Sequence, residues 1–198
     1  MIVWWAMLYV VDEVRGVAVL DNIMYVVFNE SSTIRLYNAD THSPLDVVIN
    51  VDGMKDPPDI VVCRDDRQLY VAEWDCIWRV SVSDHTYVKW LSIESTTDIF
   101  HVDTLSVTSR RLLVTSQASR PRLRQYSTTD RQLLRVVELP QYVKCVWHGV
   151  ETTRGTFVVG HRVTSQDERQ TAVSELFSFV VALKSWCRSR DVLINYRL

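Results

Sequence analysis

One apolar triplet recurs along the chain at nearly constant spacing, and it limits the possible folds more than any other feature. It reads Met24-Tyr25-Val26, Leu69-Tyr70-Val71, Leu112-Leu113-Val114 and Thr156-Phe157-Val158, with the middle residues 45, 43 and 44 positions apart. A second short apolar run precedes each triplet, at 17–20, 60–63, 104–107 and, more weakly, 147–150. A third follows at 34–36, 77–80, 123–126 and, more loosely, 172–176; a further run occupies 45–49, 87–93 and 133–139. Polar clusters at 29–33, 65–68 and 127–130 separate the runs. Short stretches rich in Val, Ile, Leu and aromatics between such clusters read as strands and turns. No helix-period segment competes with them; the only helix-like stretches lie after Gln166, where Glu and Gln are common and turn residues scarce.

Four strands per period of about 44 residues is the pattern of β-propeller blades, which stack around an axis so that each buries its neighbours' apolar faces. The expected fold is all-β, with about four blades of four antiparallel strands. The blades are placed at 14–57, 58–100, 101–144 and an incomplete 145–179, within a repeat domain spanning 1–176 and followed by a non-repeat tail at 180–198. Three complete units and a partial one leave open whether the ring closes. An open arc would expose strand edges and favour self-association.

The second unit, Leu69-Tyr70-Val71-Ala72-Glu73-Trp74-Asp75-Cys76-Ile77-Trp78-Arg79-Val80, resembles the NHL-type blade signature. In that signature a Leu-Tyr-Val-Ala-Asp run leads through a tight turn to an Asn, an Arg and an apolar strand. Glu73 stands at the Asp position, Cys76 at the Asn position, and Arg79 falls one place late. The other units share only the apolar skeleton, which is also similar to that of YVTN-type repeats. The resemblance implies a propeller that binds protein or RNA. Only five glycines are available for its turns.

With 47% hydrophobic and 23% charged residues among 198, the chain is neither disordered, collagen-like nor a coiled coil. Cys63, Cys76, Cys145 and Cys187 form no CxxC pair, which argues against a disulfide scaffold or a zinc site. The apolar run 1–11 lacks a basic flank and a small-residue cleavage site, and it stops at Asp12-Glu13, short of the roughly 20 residues that span a bilayer. It reads as a buried strand, and the chain as a cytoplasmic protein without membrane association. Asn29-Glu30-Ser31 matches a glycosylation sequon but, without a secretory signal, reads as a turn.

No catalytic constellation emerges. His42, His85, His101, His148 and His161 are dispersed; His148 and His161 could face each other across one blade. There is no GxSxG motif and no Gly-rich phosphate loop. Asp65-Asp66 reads as a solvated turn. Asp59, Asp103 and Glu151 lie near inner strands and could imitate the axial calcium site of lactonase propellers, although aspartates that begin blades more often cap turns. Trp78 and Trp90 are expected between blades, whereas Trp74, flanked by Glu73 and Asp75 in the loop between second and third strands, could anchor a partner.

Charge is unevenly distributed. Residues 1–109 carry 17 acidic and 7 basic side chains, a net of -10; residues 110–198 carry 7 and 15, a net of +8. Arg120, Arg122 and Arg124 alternate, so a strand would project them from one face. The leading expectation is a non-enzymatic module with no cofactor and no metal that binds a protein or peptide, the candidate contacts being Trp74, Asp75, Arg120, Arg122, Arg124 and His161. The alternatives are RNA binding through the arginines and a calcium-dependent lactonase-like hydrolase.

Overall fold

The computed structural model describes residues 13–93, 101–116, 122–140, 143, 145–162, 177–179 and 183–184. All regular structure among them is strand. The first sheet runs in the order β1 (Val14–Leu20), β2 (Ile23–Phe28), β3 (Thr33–Asn38), β4 (Pro44–Asn50). The second is β5 (Ile60–Cys63), β6 (Gln68–Ala72), β7 (Cys76–Ser81), β8 (Tyr87–Ser92), and the third is β9 (Thr104–Thr108), β10 (Arg111–Ser116), β11 (Arg122–Ser127), β12 (Leu133–Glu138). In the fourth, β14 (Thr156–Arg162) pairs with β13 (Cys145–Glu151) on one edge and with the short β15 (Phe177–Phe179) and β16 (Leu183–Lys184) on the other. Every pairing is antiparallel, and one sheet falls in each repeat. These are propeller-type blades. The apolar runs at 1–11 and 172–176 lie outside the described residues.

The sheets stack face to face in chain order, with inner strands β1, β5, β9 and β13 each against the next. Three apolar cores result, between the first and second sheets, the second and third, and the third and fourth. Strand alternation assigns the residues. Tyr25, Tyr70 and Leu113 face the following sheet, whereas Leu69, Val71, Leu112 and Val114 face the preceding one. Trp78 and Trp90 are buried in the first and second of these cores, as the sequence predicts. Approach is closest at Gly16, where a Cβ would lie 2.8 Å from the Ile60 nitrogen and 3.1 Å from the Asp59 Cα.

The fourth repeat departs from the triplet alignment by one residue. Phe157 is second in β14, where Tyr25, Tyr70 and Leu113 are third in their strands, so Phe157 turns back onto the third sheet and Val158 takes the forward position. A one-residue offset reverses every side chain of a strand. The irregularity between Val146 and His148 in the β13–β14 ladder also places His148 and His161 on opposite faces, because His148 pairs with Gly160 rather than His161.

The scarcity of glycine is met by other residues in left-handed conformations. Asp21-Asn22 (φ 48° and 63°) and Ser109-Arg110 (46° and 58°) form the two-residue turns that open the first and third sheets. Asn and Asp tolerate this conformation better than most side chains.

Candidate functional site

At one end of the first two sheets the loops between second and third strands, at 29–32 and 73–75, gather with residues 51–59 and 101–103 of the connections between sheets. Here Glu73 is buried, and its two carboxylate oxygens accept the backbone N–H groups of Lys55 and Asp56, each at 3.0 Å. The turn Glu73–Cys76 is closed by backbone bonds at both ends, and the Trp74 carbonyl accepts the Val102 N–H. The backbone of Trp74 is therefore held from three directions. The residue is nonetheless 51% exposed, its indole edge-on to the His101 ring at 5.4 Å and with its N–H 3.5 Å from an Asp56 carboxylate oxygen. Asp75 is exposed beside it, and Asp56 also accepts the Glu30 N–H at 3.2 Å. The result is a fixed aromatic platform rimmed by carboxylates.

The arginines are placed differently. Arg122 and Arg124 share one face of β11, but that face turns toward the second sheet and both are half-buried. Arg122 is ion-paired with Glu138 at 2.9 Å, and Arg124 hydrogen-bonds the Tyr126 hydroxyl. Arg120 lies outside the described residues. His161 is buried on the inner face of β14 and has a partner of its own. Trp74 and Asp75 are thus adjacent on one loop of the second sheet, whereas Arg122 and Arg124 lie on the third sheet and His161 on the fourth.

The acidic residues near inner strands are engaged in structure. Asp59 caps its own strand at the Ile60 N–H and reaches into the third sheet to the Leu105 N–H, both at 2.8 Å. Burial pushes its carboxyl above the ordinary range, opposed by these two N–H groups and by His148. Glu151 is wholly buried between the third and fourth sheets. It accepts from Gln125 at 2.7 Å and is ion-paired with Arg135 and Arg111, while the Arg135 guanidinium lies over the Phe157 ring at 4.3 Å. Removing one partner from such a group typically costs about 3–5 kcal/mol, because a buried charge is left uncompensated. Among the described residues no three of His, Cys, Asp and Glu are grouped to hold a metal ion. The buried Cys63 and Cys76 thiols are pushed up by burial, Cys76 to about 12, which keeps them protonated and un-nucleophilic.

Asp66, expected as a solvated turn residue, is instead partly buried: it accepts from Thr128 at 2.7 Å and pairs with Arg110 at 3.2 Å, tying the second sheet to the third. Sequence inspection passes over it because neither partner lies near it in the chain.

No family model matches the sequence, and no curated protein matches it. The fold is similar to that of Kuenenia stuttgartiensis hydrazine synthase (TM-score 0.62, 14% identity, 84% of this chain and 49% of that one). It is also similar to a chain of the mitotic checkpoint complex (0.58, 13%, 76% and 44%) and to the computationally designed Ika4 protein (0.56, 14%, 76% and 86%). The chain thus spans about half the length of the hydrazine synthase chain. At such identities the likeness is one of fold, and it agrees with the propeller-type arrangement of the four sheets.

Proposed function

We propose that this protein is a non-enzymatic interaction module that binds a protein or peptide through the loop end carrying Trp74. The observation that carries this reading is a large aromatic side chain left half-exposed on a backbone that is pinned by buried Glu73. Rigid, exposed tryptophans lose little conformational freedom on binding and dominate many interfaces. The carboxylates of Asp56 and Asp75 beside it favour a partner segment rich in Lys or Arg.

The test is a titration of lysine- and arginine-rich peptides against the intact chain. Binding is expected to weaken at least tenfold in Trp74→Ala, about 1.4 kcal/mol or more, with little change in thermal stability because the indole is largely outside the core. Peptide binding indifferent to Trp74→Ala, or measurable turnover of a lactone or ester, would overturn the proposal.

A further inference from the structure

At the opposite end of the same strands a polar cleft opens between the second and third sheets, with a volume of about 310 Å3. Strand β6 connects the two ends, Gln68 at the cleft and Ala72 beneath the Trp74 loop. The lining includes Asp66, Gln68, Tyr70, Arg79, Arg110 and Thr128. Tyr70 and Arg79 are directly paired across β6 and β7, so both project toward the third sheet. Arg110 reaches the cleft from the β9–β10 turn, where it adopts a left-handed backbone (φ 58°) that side chains other than Gly, Asn and Asp seldom take.

Two features make this cleft more than a gap. Its charge is unbalanced, since Asp66 offsets one of the two guanidinium groups and Arg79 is committed to no carboxylate among the described residues. And Tyr70, wholly buried, has a hydroxyl with no partner at full hydrogen-bonding distance, the neighbouring Thr128 hydroxyl being drawn to Asp66 at 2.7 Å. An unsatisfied buried hydroxyl costs about 1–3 kcal/mol and is uncommon in native structures. Burial also holds this phenol up at about 12, so it stays protonated and offers its O–H as a donor to an acceptor in the cleft.

We propose that this cleft is a binding site for a small oxyanion group, a carboxylate or a phosphate, which bridges Arg79 and Arg110 and accepts a hydrogen bond from the Tyr70 hydroxyl. One excess positive charge matches a group that carries a single negative charge. Guanidinium forks suit the geometry of either oxyanion. The site is independent of the Trp74 end, and Trp74→Ala leaves it intact.

The experiment is calorimetric titration of the whole chain with inorganic phosphate and, separately, acetate, the stronger binder identifying the oxyanion class. Arg79→Gln is expected to weaken binding at least tenfold. Arg122→Gln, which removes the same charge at the other end of the sheets, is expected to leave it unchanged. Tyr70→Phe separates folding from binding: without anion the variant should melt at or above the wild-type temperature, and the rise in melting temperature produced by anion should shrink. Equal binding by wild type and Arg79→Gln, equal loss in Arg122→Gln, or a Tyr70→Phe variant stabilised by anion as much as wild type would each overturn the proposal.

Discussion

Asp59 illustrates how a side chain that resembles chemistry can be structural. Its carboxylate joins two sheets through the Ile60 and Leu105 N–H groups, and burial raises its carboxyl above the ordinary range. The folded chain therefore holds that proton more tightly than the unfolded chain. Between the ordinary carboxylate value of about 4 and the raised value, folding takes up a proton, so the stability contributed by this group grows as pH falls and is lost as pH rises through the raised value. The exposed turn residues Asp84 and Asp130 behave oppositely. Their carboxyls are lowered, chiefly by the Ser81 and Ser127 hydroxyls, so what they contribute is present above the ordinary value and lost on acidification. Asp59→Asn removes only the first contribution. In urea titrations from pH 7 to pH 4 the stability difference between wild type and Asp59→Asn is expected to move in favour of wild type as pH falls; a difference independent of pH would show that burial does not govern this carboxyl. Aspartates at blade starts are legible in the sequence as turn caps, whereas the reach of Asp59 to Leu105, 46 positions away, exists only once the sheets stack.

At the scale of elements, strand identity follows from apolar runs and turn clusters, and inter-sheet distance follows from small residues. Gly16, Ala18 and Leu20 make the face of β1 that meets the second sheet. A methyl group on Gly16 would strike the backbone of Asp59 and Ile60, which cannot rotate aside as a side-chain tip can. Gly16→Ala is expected to destabilise the chain by about 1–3 kcal/mol, the usual cost of overfilling a packed core, measured by chemical denaturation; a cost below 0.5 kcal/mol would mean that the first two sheets slide apart freely. The fourth repeat shows where reading by triplet falters. The 44-residue spacing centres Phe157, but Val158 holds the third position of its strand and Phe157 packs back against the third sheet under Arg135. Periodicity locates a strand to within a residue, and one residue decides which face is inside.

Over the whole molecule, three cores join four sheets, and among the described residues no comparable core joins the first sheet to the fourth. The outward face of the first sheet exposes Val17 and Val19, and that of the fourth exposes Trp147 and Val150. Among the described residues the first two sheets carry an excess of acidic side chains and the last two an excess of basic ones, so the two ends of the stack are expected to attract a second copy. Sedimentation is expected to show concentration-dependent association that weakens with salt and in a Val17→Lys, Val19→Lys double variant; a monomer at all concentrations would contradict it. The 44-residue period by itself determined the all-β class and four strands to a sheet, and the residue count determined the split of charge, because these depend on composition and spacing along the chain. Tertiary structure alone decided that Arg122 and Arg124 turn inward, that Asp66 and Glu151 are bound into inter-sheet networks, and that Trp74 is held exposed above Glu73. It also decided that Tyr70 meets Arg79 and Arg110 in one cleft. Each of these depends on which sheet lies opposite a given strand face, a relation between residues distant in sequence that no local pattern records.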